Sequence, residues 1–297
     1  MNNYTIILAH GIARFDFLLQ RFSKSLGEIG LGLGLANDGL HYFKGIARHL
    51  RNNGFDVYQS SVGFASDVES RAADLKREVE TALALRSGQA KVHIIAHSMG
   101  GLDARHMIVN HDMADKIASL TTIGTPHLGT SFADWGMKHQ GHQIIEVMNK
   151  IIDFGGFDDL TTSACGDFNE TAQAAEVAND VTYQTYAAHE GQNQVFAPLQ
   201  PAWKIISDAE GENDGLVSRT SQLWESELAD GFGARKQIHQ HDFPVSADHL
   251  NEIGWWDLNQ LQLSDLFHTN LLKTVMNYES SVKNVYLDIA KSVQSLS

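Results

Sequence analysis

Ser98 stands among small residues in the string IIAHSMGG at 94–101. A serine hydroxyl becomes a nucleophile when a histidine takes its proton and a carboxylate holds that histidine in the right tautomer. The chemistry to test is therefore acyl transfer through a serine ester. When the serine sits on a strand-to-helix turn, its partners follow in the order acid, then histidine. Asp214, in GENDGLVS at 211–218, is the first choice of acid, because Asp-Gly makes a turn and Leu216–Val217 carries the chain back under the body. Asp208 is the reserve. His249, in SADHLNEIG at 246–254, is the first choice of base. The chain has 15 histidines, and His239 and His241 in IHQHDF compete for the role.

The tetrahedral intermediate of such a reaction needs two backbone N–H donors. Met99, next to the serine, supplies one. The other is expected from the loop after an early strand, where Ala9 runs into His10-Gly11-Ile12. Gly11 lets the backbone turn close to a substrate, and the Ile12 N–H is the expected donor. His10 either ties this loop down or borders the substrate. Phe15, Phe17 and Leu18 follow at once and read as an acyl channel or as packing.

These residues need elements to hold them. Buried-strand patterns fall at 4–9, 56–60, 92–96, 119–123, 181–187 and 203–207. Helical patterns fall at 42–53, stopped by Gly54, at 66–86, where Ser66 and Glu69 read as a capping box, and at 99–110. Alternation from residue 4 to 123 predicts an α/β fold with a mostly parallel sheet and helices on both faces. It breaks at Gly124. Residues 128–180 hold no convincing strand and read as an inserted helical cap, with Ile144, Ile145, Met148, Ile151 and Ile152 on one helix face. The apolar stripe from Leu271 onward reads as a helix packed on the body, within a helical tail at 261–297. One domain over 1–297 is expected. Gly30, Gly32 and Gly34 do not close a strand and read as a loop, and His127, His139 and His142 as a solvated loop.

Bulk properties narrow the classes. A net charge of −14 over 297 residues argues against nucleic acid or an anionic membrane surface as partner. One cysteine, Cys165, excludes an internal disulfide. No apolar run reaches the roughly 20 residues that cross a bilayer. No basic leader precedes the first strand, so the expectation is a chain kept in the cell, exported without a leader, or already trimmed.

With AHG at 9–11, AHSMGG at 96–101 and NDGLVS at 213–218, the chain resembles the bacterial triacylglycerol lipases of the α/β-hydrolase superfamily, of the Pseudomonas, Burkholderia and Proteus type. TTIGTPHLG at 121–129, FDDLTTSACGDFN at 157–169, YFKGI at 42–46 and DHLNEI at 248–253 extend the match from about Tyr4 to Lys273. The resemblance implies an α/β-hydrolase fold with Ser98 as nucleophile, Asp214 as acid and His249 as base. It makes Ile12 and Met99 the oxyanion hole and the stretch near 132–154 a lid. It implies a lipid or ester substrate met at an oil–water interface, with a short-chain soluble esterase and a non-catalytic binding protein as the alternatives.

The sequence departs from that family in three ways. Ala96 replaces the first glycine of the elbow. Asn251 stands two residues after His249, where the family has a calcium-binding aspartate, and Gln192 and Asn193 stand where its partner is sought. A neutral amide is a poorer ligand for a hard cation, so no cofactor is expected and calcium only in weakly bound form. The disulfide of some members cannot form.

Overall fold

The computed structural model describes residues 4–11, 42–63, 66–86, 88, 90–139, 156–256 and 271–295. Six strands build one sheet: β1 (Thr5–Ala9), β2 (Val57–Gln59), β3 (Val92–His97), β4 (Ile117–Ile123), β5 (Thr182–Ala187) and β8 (His239–Asp242). Their spatial order is β2-β1-β3-β4-β5-β8, and every pairing is parallel. Two further strands, β6 (Glu227–Ala229) and β7 (Arg235–Gln237), form a separate antiparallel pair.

The central strands are apolar on both faces because helices cover both. Ile6 and Leu8 of β1 point into a core shared with α1 (Ile46–Asn52) and with α8 (Leu271–Gln294), which contributes Val282, Tyr286, Ile289 and Val293. Ile7 and Ala9 point the other way, into a core shared with α2 (Val68–Ala84) and α3 (Met99–Asn110). The tail stripe is thus a helix against the body. The helix α2 is capped by Asp67, whose side chain accepts the Ser70 N–H, and not by the Ser66–Glu69 box.

Between β4 and β5 the described residues carry α4 (Ser131–Lys138) and α5 (Thr162–Ala178) and no strand. The expected apolar helix face at 144–152 lies outside the described residues. The segment 203–207 is not a strand. It belongs to α6 (Gln200–Ala209), with Pro201 in its first turn and Ala202 and Ile206 buried one turn apart. Its run WKIIS is too short to separate strand from helix by periodicity. A short helix, α7 (Arg219–Leu223), precedes β6.

Candidate active site

Ser98 sits at the end of β3 and the start of α3, with φ 57° and ψ −136°. That backbone is strained for a residue with a Cβ. It is held by the Ser98 N–H donating to Ile123 O at 2.9 Å and by Thr125 Oγ1 donating to Ser98 O at 2.8 Å. The turn is tight enough that a Cβ on Gly100 would meet Ala9 and His10 backbone oxygens at 2.8 and 2.7 Å. Ala96, in contrast, fits: it is an interior β3 residue paired with Ala9 and fully buried.

His249 lies in the loop after β8, and Asp214 in the turn after α6. His249 Nε2 is 2.8 Å from Ser98 Oγ, and His249 Nδ1 is 2.8 Å from Asp214 Oδ2. The Asp214 carboxylate is oriented by three more donors. Leu216 and Val217 N–H groups reach Oδ1 at 2.8 Å each, and Gln222 Nε2 reaches Oδ2 at 3.1 Å. The His249 N–H donates to Asp214 O at 2.9 Å, joining the two loops through their backbones. All three side chains are buried. The reserves stay away: Asp208 pairs with Lys204 at the surface, and His239 and His241 lie exposed on the edge strand β8, His241 stacked on Tyr186.

Ser98 and His249 open onto a mostly apolar cleft that is partly open to solvent. Pro126, Phe132, Phe157, Leu160 and Val217 line it. Met99 begins α3, so its N–H has no carbonyl one turn back within the helix. Ile12, Phe15, Phe17 and Leu18 lie outside the described residues, but Gly11 packs directly on the serine: a Cβ there would come within 2.7 Å of Ser98 Cβ. His10 does not line the cleft. Its Nδ1–H donates to Gly11 O at 2.8 Å and its Nε2 accepts the Val62 N–H at 3.1 Å. Burial pushes its pKa down to about 4, so the ring is neutral and fastens the loop.

Two supports escaped the sequence reading. Arg71, wholly buried on α2, donates to His10 O at 3.0 Å and to Gly63 O at 2.7 Å while paired with Asp103 at 2.7 Å. Tyr42, His97 and Glu252 form a chain behind the triad: Tyr42 Oη lies 2.7 Å from His97 Nδ1, and His97 Nε2 lies 2.8 Å from Glu252 Oε2. Neither carries a local signal: Arg71 stands in the charged stretch DVESRAADLKRE at 67–78, and Tyr42, His97 and Glu252 are far apart in the chain.

Asn251 Oδ1 accepts the Asp248 N–H at 3.2 Å, and its Nδ2 donates to Trp255 O at 2.8 Å. Each end of the Asn251 amide thus bonds the loop's own backbone. Asp248 accepts the N–H groups of Phe196, Leu250 and Asn251, and burial raises its pKa to about 7. Among the described residues, one group has the spacing of a metal set: His97, His249 and Glu252, with donor atoms within 4.8 Å of one another. Two of these bond each other and the third bonds Asp214 and Ser98.

Residues 4–143 match the α/β hydrolase fold family. Triacylglycerol lipase 2 of Saccharomyces cerevisiae is 30% identical over 258 residues, covering 84% of this chain and 72% of that protein. The triacylglycerol lipase of Vibrio cholerae is 34% identical over 131 residues, 44% of this chain and 35% of that one. The chain therefore spans most of the yeast relative and about a third of the bacterial one. The structure of lipase 1 from Pelosinus fermentans superposes with a TM-score of 0.62 at 17% identity, covering 98% of this chain and 99% of that one, a likeness of fold. With that parallel sheet and these relatives, the chain belongs to the lipase family of the α/β-hydrolase fold.

Proposed function

We propose that this protein hydrolyses carboxylic esters, acylglycerols foremost, through an acyl-enzyme on Ser98. The observation that carries the reading is the chain Asp214–His249–Ser98, two contacts of 2.8 Å that end at an apolar cleft. His249 Nε2 takes the Ser98 proton as Oγ attacks the ester carbonyl. The oxyanion is met by the Met99 and Ile12 N–H groups, each contributing roughly 3–4 kcal/mol to the barrier reduction. His249 then protonates the leaving alcohol, leaving the acyl group on Ser98. Water loses a proton to His249, attacks the acyl carbon and releases the acid, and His249 returns the proton to Ser98. Asp214 holds the imidazole with its proton on Nδ1 and stabilises the imidazolium. No step uses a metal.

A lipid substrate is supported by the lining of the cleft and by the names of the relatives. The test is a series of p-nitrophenyl esters from two to sixteen carbons, with an acylglycerol emulsion and a fluorophosphonate probe. Rates are expected to rise beyond four carbons and to jump once the substrate exceeds its solubility. A preference for four carbons or fewer without that jump would make the protein a soluble esterase. Absence of a phosphonate adduct on Ser98 would refute the enzyme reading altogether.

A further inference from the structure

Behind the triad runs a buried hydrogen-bonded chain that touches neither the cleft nor Ser98 Oγ. It starts at Tyr42 Oη, against which Gly11 packs, continues to His97 Nδ1 at 2.7 Å, and ends with His97 Nε2 at 2.8 Å from Glu252 Oε2. Each member comes from a different part of the fold. Gly11 follows β1, Tyr42 precedes α1, His97 closes β3, and Glu252 lies three residues beyond His249. Three further contacts hold them together. The His97 and His249 rings pack at 4.5 Å, Trp255 Nε1 donates to Tyr42 O at 3.0 Å, and the Lys44 N–H donates to Ile253 O at 3.0 Å.

We infer that Tyr42, His97 and Glu252 are positioning residues that fasten the backbone at Gly11 to the loop carrying His249, so that oxyanion donor and base keep one geometry. The inference rests on the proposed roles of Ser98 and His249. Its physical basis is that donors and base act only within tenths of an ångström of their working positions, while the loops bearing them have no covalent link. Gly11 and Tyr42 touch: a Cβ on Gly11 would lie 2.8 Å from Tyr42 Oη. Burial and the nearby Asp214 and Asp248 carboxylates hold Glu252 well above the usual carboxyl range, and burial beside His249 holds His97 well below the usual imidazole range. Glu252 Oε2 with His97 Nε2, and His97 Nδ1 with Tyr42 Oη, form the two hydrogen-bonding pairs of the relay.

The test compares Tyr42→Phe, Glu252→Met, Glu252→Gln and Tyr42→Phe/Glu252→Met with wild type and Ser98→Ala, on p-nitrophenyl butyrate. Removing either hydrogen bond is expected to lower kcat about tenfold, the scale of one net hydrogen bond, with KM within twofold. The double variant is expected to fall no further than the worse single, because both cut one chain. Glu252→Gln, whose amide can still form a hydrogen bond with His97, is expected to stay within threefold of wild type. Tyr42→Phe removes a single oxygen and carries the test if the Glu252 variants fail to fold. Singles with kcat within twofold of wild type, multiplicative losses in the double, or a Gln variant as slow as the Met variant would each overturn the relay. A fully active Ser98→Ala would overturn the catalytic reading and the relay together; an inert Ser98→Ala beside fast Tyr42→Phe and Glu252→Met would overturn the relay alone.

Discussion

Two buried polar centres in this fold use the same residue types to opposite ends. In one, Asp214, His249 and Ser98 line up at the carboxyl end of β3. In the other, at the side of the sheet where α3 meets α5, Arg105 grips Glu176 at 2.8 and 3.0 Å, reaches Asn169 Oδ1 at 2.8 Å and lies 3.3 Å from His127 Nδ1. The guanidinium stacks on Trp224 at 3.8 Å, and His127 stacks on the same indole. His127 Nε2 is taken by Thr122 Oγ1 at 2.8 Å. The polar side-chain atoms of Arg105, Glu176 and His127 face protein partners or an aromatic face. Ser98, by contrast, sits on strained backbone beside an apolar cleft. Chemistry follows from bonding capacity left over at a cavity, not from histidine and carboxylate as such.

The largest effects should separate the two centres by what they control. Ser98→Ala is expected to lower kcat about 10⁶-fold if the triad acts as a unit, and Asp214→Asn about 10⁴-fold through the wrong histidine tautomer. Urea unfolding of Ser98→Ala should give a midpoint at or above that of wild type, since only the hydroxyl is lost. More than a few per cent of activity in Ser98→Ala would erase the distinction. The knot should behave in reverse. Glu176→Gln leaves a buried guanidinium without its counter-charge, so unfolding free energy is expected to drop by about 3–5 kcal/mol with kcat unchanged in the folded fraction. A Glu176→Gln protein as stable as wild type would break the comparison from that side.

The triad was legible because each member has a local signature. Small residues flank the serine, Asp-Gly makes the turn of the acid, and the histidine follows in the required order. The parallel sheet was legible from its apolar runs. The knot and the relay were not. Arg105 and Glu176 are polar residues on helices, and sequence alone assigns such residues to the solvent face. His127 read as a solvated loop residue for the same reason, yet it is fully buried. Tyr42, His97 and Glu252 are separated by 55 and 155 positions, and no periodicity reports on such a pairing. The segment 203–207 failed differently: Pro201 in the first turn was the helix signal, and the apolar run outweighed it.

A smaller effect should show how the catalytic side differs under acid. His10 fastens the oxyanion loop through both ring nitrogens, and its pKa in the fold is about 4 against 6.5 in the unfolded chain. A depressed imidazole contributes stability that is complete above pH 6.5 and is lost as pH falls toward 4, because the unfolded chain takes up the proton first. Asp248, raised to about 7, and Asp103, raised to about 6, have the opposite sign: their contribution is present in acid and fades as pH rises through those values. The net curve therefore mixes both, and a variant is needed to isolate His10. His10→Gln is expected to be less stable than wild type at pH 7 and to lose about 1–3 kcal/mol less between pH 7 and 4.5, on the scale of a shift of that size. Urea unfolding across that range, read against the same series for His127→Gln, measures it. His127 is held well below the ordinary imidazole range by burial and by the Arg105 cation. Parallel wild-type and His10→Gln curves would mean that the loop's histidine does not sense acid, and the two centres would then differ in chemistry but not in their response to protons.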